Sequence, residues 1–329
     1  MMFRLLLIVF CLVAHSLAYV PAPANAQKMD AKAAPLPDIK LHESNAVKRL
    51  PVPVTVKTVI DPLTFTDTDG NVYRLMELDS PALSDTGETN KPLYGEMKKS
   101  LEALISDQSL LLYVPLTRSG EAEQMQNRMG HTLVQAVREK DKIWVQGILL
   151  NQGMARVRTT PDETVLAADL LRQEDKARKV KRGLWKDADY AVFAADHIPD
   201  NFYGFGIVEG TIHSVSAVRN TIFLNFGDNW REDFSLGLSP EARRAFAKDG
   251  ANVMSWGGEH VRVRGNIRQY NGAFIDLDHS AQVEHLDDNA EQKSASEAAD
   301  TPLPEEGSGG NHTRSPAAEE RDNHIPFNL

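Results

Sequence analysis

The sequence predicts a β-rich α+β chain of two small β-barrels in tandem. Short runs alternating apolar and polar residues recur beside turn pairs such as Asp69-Gly70 and Asn271-Gly272, the pattern of hairpins rather than of long helices. Helical periodicity is confined to a few stretches inside or after each series of strands. Between an apolar leader and residue 52, and again after residue 286, large apolar residues are scarce, which bounds the folded part on both sides.

Residues 1–26 read as a signal peptide. Arg4 precedes an apolar run from Leu5 to Ala14 that is short for a membrane span, and Ala24-Asn25-Ala26 has the small-x-small form that signal peptidase accepts. Residues 27–51, rich in Ala, Pro and Lys, read as a linker. In the first unit, residues 52–190, strands are expected at 52–60, 64–66 and 71–78. The spacing of Met97, Leu101, Leu104 and Ile105 predicts a helix at 95–105, followed by a strand at 109–116 and a hairpin of 132–137 with 143–144. Amphipathic stretches follow at 145–151 and 165–181, the second stopped by Gly183. Three strands, a helix, two strands and two helices suit a small barrel flanked by helices, as in an OB-fold.

The second unit, residues 203–286, carries strands at 206–213, 221–226, 233–236, 261–269 and 273–277, with one short helix at 240–247. Five strands and one helix again suit a small OB-like barrel, although an open sandwich fits the same order. No sequence repeat relates the two units. Residues 287–329 are mostly Ala, Ser, Glu, Pro and Gly and are expected to form a disordered acidic tail.

The formal charge of the chain is −10. Ten acids against Lys293, Arg314 and Arg321 put −7 in residues 287–329, and with Arg4 in the leader, −4 remains for residues 27–286. A mildly acidic folded part disfavours indiscriminate binding to polyanions. Cys11 is the only cysteine and lies in the leader, so once the leader is cut disulfides, zinc fingers and thiolate catalysis are excluded.

Four separated motifs carry more specific information: Val72-Tyr-Arg-Leu-Met-Glu-Leu-Asp-Ser-Pro81, Gly147-Ile-Leu-Leu-Asn-Gln-Gly-Met-Ala-Arg-Val157, Glu174-Asp-Lys-Ala-Arg178 and Gly183-Leu-Trp185. Together with Val59-Ile-Asp-Pro-Leu-Thr64 they resemble, in order and spacing, the thermonuclease or staphylococcal-nuclease-like family over about 135 residues, from Val52 to Lys186. The resemblance implies a staphylococcal-nuclease-like OB-fold barrel. It also implies a chemistry that can be checked residue by residue: a calcium ion to neutralise phosphate oxygens, a carboxylate to deprotonate water, and two guanidiniums for the growing charge.

Little of that set remains. Where the family has Asp-Gly-Asp-Thr the chain has Asp61-Pro62-Leu63-Thr64, which removes one ion ligand. Arg74 stands at the first arginine and Asp79 at the other ion-binding carboxylate, but Ala82 follows Pro81 where the general-base Glu belongs. Asn127-Arg-Met-Gly-His131 aligns with Asp-Arg-Tyr-Gly-Arg and puts an imidazole in place of the second, permanently charged arginine. Asp85 and Glu88, just downstream, could supply a displaced carboxylate, and Arg74 and Asp79 could equally be paired structural residues.

Other residues suggest binding. Arg172, Arg178 and Lys179 belong to a run of basic residues that could meet phosphates or form a solvated helix face. In the second unit the segment 229–234, with Trp230 and Phe234, and the residues Arg262, Arg264 and Arg268 have the composition of a stacking platform for single strands, or equally of core aromatics beside arginines that solubilise the outer face. The family resemblance extends to Phe223-Leu-Asn-Phe-Gly227 and Asp233-Phe234, which look like an appended C-terminal module found with degenerate sites. The expected protein is exported, periplasmic or secreted, without stable membrane insertion after signal cleavage. It is expected to bind single-stranded nucleic acid or an envelope protein without a cofactor. The alternative is an active phosphodiesterase with a rearranged, calcium-dependent site.

Overall fold

The computed structural model describes residues 36–42, 46–80, 91–116, 121 and 123–286. The leader, the tail, Ala82, Asp85 and Glu88 lie outside the described residues. Of the separate unit Met1–Asp38 only residues 36–38 are described; everything below concerns the unit beginning at Ile39.

The first barrel comprises β1 (Val47–Arg49), β2 (Val54–Asp61), β3 (Thr64–Asp67), β4 (Val72–Leu75), β5 (Leu78–Asp79), α1 (Lys91–Ile105), β6 (Ser109–Pro115), β7 (Thr132–Arg138), α2 (Val145–Asn151), β8 (Arg156–Val157) and α3 (Ala167–Lys179). Strands β2, β3, β4, β7 and β6 pair in that order, and β6 returns to β2, so the sheet closes on itself. Only the β4–β7 pairing is parallel within this ring. Closure hides both edges, and the inward residues Val56, Val59, Phe65, Leu75, Leu110, Leu112 and Val134 fill the interior.

Two sequence expectations fail here for visible reasons. A single strand over 71–78 is interrupted at Glu77, whose φ of 61° places it in the left-handed region and turns β5 out of the barrel to pair with β8. The linker reading of 27–51 misses packing by its second half. Ile39 is buried against α2, its carbonyl accepts from the Trp144 N–H at 2.8 Å, and β1 adds to β6 as an extra strand. The four motifs meet around one close approach. Gly153 and Gly183 both have positive φ, and a Cβ on either would lie within 2.3 Å of the other's segment, so α2 and the end of α3 touch backbone to backbone.

The second barrel comprises β9 (Phe193–Ala194), β10 (Gly204–Thr211), β11 (Ser214–Val218), β12 (Thr221–Asn225), β13 (Ser235–Leu238), α4 (Pro240–Lys248), β14 (His260–Gln269), β15 (Ala273–Leu277) and β16 (Val283–His285). β10 and β11 are one long strand broken at residues 212–213: the first half pairs with β14 and the second with β12. With β12–β13, the parallel β13–β15 and β15–β14, this gives the same ring as in the first barrel, which favours the OB-like reading over the open sandwich. In both barrels the helix sits between the third and fourth strands of the ring. Here Ser239 caps α4 by accepting from the Ala242 N–H, and Pro240 occupies its first turn.

The barrels are joined by buried contacts. Ile207 of β10 packs with Met97, Ala177, Leu184 and Trp185 of the first barrel. Arg264 of β14 and Glu174 of α3, each 1% exposed, form an ion pair at 3.1 Å; Glu174 also accepts from the Val157 N–H, and Arg264 donates to Glu284 at 2.7 Å. A further tie links the Thr159 hydroxyl to His279 Nε2 at 2.7 Å, with Asp278 against the other ring nitrogen.

Candidate functional site

Two of the residues aligned with the catalytic set, Arg74 and Asp79, line a pocket of about 280 Å³ below β4 and β5, together with Glu77, Asn127, Arg158 and Glu163 among others. Arg74 is held in place by its own neighbours. Its Nη1 donates to Thr64 Oγ1 at 3.1 Å and lies 3.8 Å from Asp61, while Asp61 also caps the turn by accepting from the Leu63 N–H. Leu63, which aligns with an ion-binding Asp of the family, is 0% exposed and forms part of the core. Asp79 is enclosed by cations. Arg156 reaches one oxygen at 2.8 Å and Arg158 approaches the other at 3.4 Å.

This arrangement does not fit the calcium ion that the resemblance implies. The remaining carboxylate at the ion position already faces two guanidiniums, and hydrocarbon replaces the second ligand. Among the described residues no group of three or more His, Cys, Asp or Glu is placed to hold a metal ion. At the hairpin, the Asn127 side chain accepts from the His131 N–H at 3.0 Å and fixes the loop, but His131 does not line the pocket.

Two carboxyl groups that the sequence did not single out do line it. Glu77 is almost fully buried, and burial pushes its carboxyl up to about 7, partly offset by hydrogen bonds from the Leu166 N–H and Gln135; nearby Glu163 adds to the rise. Burial also raises Glu163, which Arg74 partly offsets and which accepts from the Glu77 N–H at 3.2 Å. Glu77 lies inside a quoted motif, whereas Glu163, in a loop between β8 and α3, gave no signal.

Residues 72–187 match the family model described as Staphylococcal nuclease homologue. The first barrel is a staphylococcal nuclease homologue domain. No curated protein matches the chain. The match begins at β4 and so leaves out β2 and β3, which nevertheless complete the ring of this nuclease-homologue domain.

The binding residues expected outside that site divide sharply. Arg264 cannot meet an external ligand because it is buried in the ion cluster, and Arg262 is spent on a forked contact to Glu209 at 2.8 and 3.0 Å. The platform assignment for these two is therefore corrected: both guanidiniums are taken up by acids, Arg262 by Glu209 of its own barrel and Arg264 by Glu174 of the first. On α3, Arg172 pairs with Asp169, while Arg178 and Lys179 both pair with Asp175, so the helix neutralises much of its own basic run.

Trp230 is different. It is 51% exposed and borders a pocket of about 330 Å³ lined also by Val218, Phe223, Asn225, Tyr270 and Phe274. Phe223 and Phe274 form its floor, edge to face at 6.4 Å. Tyr270, 56% exposed, was missed by the sequence reading although it directly precedes the Asn271-Gly272 turn. Gly272, at φ 86°, brings that turn against the loop carrying Trp230: a Cβ there would stand 2.3 Å from the Glu232 carbonyl oxygen. The loop is in turn closed by Asp233, which accepts from the Asn229 N–H at 2.6 Å. Phe234 beside it is core, so of the two aromatics in the segment only Trp230 faces outward.

Proposed function

We propose that this is an exported, periplasmic or secreted, binding protein whose nuclease-homologue barrel lacks the family's hydrolysis and whose second barrel holds single-stranded nucleic acid. The observation that carries the binding role is the aromatic pocket between β12, β13 and the β14–β15 turn, the face and loop on which an OB-fold takes single strands. Its polar lining, Asn225, Ser216, Ser235 and Asn271, is uncharged and suits base edges, while Arg231 stacked on Trp230 at 4.3 Å supplies a cation at the rim. Loss of hydrolysis is supported by Leu63 in the core and by the enclosure of Asp79. Export to the periplasm or the medium is supported by the leader.

The test is a salt-titrated binding measurement with single-stranded DNA and RNA, with cleavage read in the same tube at millimolar calcium. Binding that weakens with salt, without cleavage, is expected. Calcium-dependent cleavage abolished by Arg74→Ala would sink the proposal and establish the competing reading, a rearranged phosphodiesterase. That reading is favoured by one observation: Glu163 shares the pocket of Arg74 and Asp79 and would be its base.

A further inference from the structure

Three pockets form a series: two share residues, and a cation–ring contact leads from them to the third. The pocket of the nuclease-homologue barrel and a polar pocket of about 320 Å³ between the barrels both include Arg158 and Thr160. The inter-barrel pocket includes Phe205 and Arg268. Arg268 lies over the rings of Tyr270 at 5.1 Å and Phe274 at 4.4 Å, both of which line the aromatic pocket. Arg158 lies over Phe205 at 5.2 Å, and Arg231 over Trp230 at 4.3 Å. Guanidinium and aromatic ring thus alternate from the first barrel, across the junction, to the far rim of the second.

From this alternation we infer that a single nucleic-acid strand runs across both barrels, from Trp230 over Tyr270, Arg268 and Phe205 to Arg158. The inference rests on the proposed single-strand binding and extends it to a path and a footprint. Bases stack on rings and phosphates pair with guanidiniums, the two demands that a single strand makes in regular succession. A polyanion without bases would need only the charges, and an apolar protein partner would have no use for cations at each step. The guanidiniums are available for this. Arg268 is 44% exposed, and its pair with Asp276 is of the open kind, worth about 0–1 kcal/mol, that a phosphate can replace; Arg158, 32% exposed, approaches Asp79 only at 3.4 Å, and Asp79 keeps Arg156 at 2.8 Å when a phosphate takes Arg158. The stretch of β14 from Asn266 to Gln269 alone spans roughly 10 Å at the usual rise of a strand, more than one nucleotide can cover.

The experiment is a length series of oligothymidylates, 4 to 20 nucleotides, titrated against the full chain and against Arg158→Ala and Arg268→Gln, with thermal melts confirming that each variant is folded. Affinity should keep rising beyond the shortest oligomers until roughly 10 nucleotides, the scale of an OB-fold site. For the longest oligomer, Arg158→Ala should weaken binding several-fold and lower the salt slope by about 0.7, the value of one phosphate contact on a single strand. It should leave a 4-mer unchanged. If binding occurs but levels off at the shortest lengths and Arg158→Ala alters neither oligomer, the strand stays on the second barrel and the path is overturned. If no oligomer binds at low salt, the proposed function itself falls.

Discussion

The two barrels share one ring of strands and have opposite economies of charge. In the nuclease-homologue barrel the polar groups around the pocket of Arg74 and Asp79 are satisfied by one another: Arg74 by Thr64 and Asp61, Asp79 by Arg156 and Arg158. In the second barrel the outward face keeps rings open to solvent, while Arg262 is turned onto Glu209 of the same barrel and Arg264 onto Glu174 of the first. The same topology therefore serves as a closed scaffold in one copy and as an open face in the other. Position in the fold does not decide which side chains remain available to a ligand; the presence of a fixed partner does.

The sharpest way to break this contrast is at the junction. Arg264→Met leaves Glu174 buried without its cation and should cost about 3–5 kcal/mol in urea denaturation. The double variant with Glu174→Leu should recover much of the loss, because it removes both charges together. A loss under 1 kcal/mol in the single variant would mean the barrels are not joined by this pair.

The next effect concerns the closed scaffold and pH. Glu77 has an ordinary value of 4.5 and about 7 when folded, so between these the folded state holds the extra proton and stability falls as pH rises. The full difference is about 3 kcal/mol, complete in favour of folding below 4.5 and absent above 7. Denaturation midpoints at pH 5 and pH 8 should show the drop, and Glu77→Gln should flatten that part of the profile. An unchanged slope in the variant would rule Glu77 out as its source.

On the open face the effects are on binding. Trp230→Ala and Tyr270→Ala should each weaken single-strand binding by about 1–3 kcal/mol with little change in melting temperature. Equal losses in stability would mean that these rings act as core. The smallest effect on binding is expected from Gly272→Ala, where the positive φ alone costs about 1–2 kcal/mol of stability and the added methyl meets the backbone of the Trp230 loop, which must shift. Calorimetry should register that cost together with a modest loss of affinity.

Much of the ring was legible in the sequence because it rests on local rules. The Asn271-Gly272 pair sets a turn with both residues at positive φ, and the spacing of Met97, Leu101, Leu104 and Ile105 put one face of α1 into the core. What escaped was decided at a distance. β1 and Ile39 are too short to carry a period, and they are ordered by Tyr113, Val114 and Trp144. β11 looked like a loop because the break at residues 212–213 divides one strand between two partners. Arg264 could not be told from a surface arginine, since the acid that buries it lies 90 positions earlier in the chain.

That last contact reaches beyond this molecule. Residues between 190 and 203 look like a natural place for recombination to separate two modules, yet a cut there would strand a carboxylate on one piece and a guanidinium on the other, each shaped for a buried partner. Exchange of one barrel alone is therefore expected to cost stability unless both charges change together. A second barrel carrying the Arg264 position should travel with a nuclease-homologue helix that retains the acid at position 174.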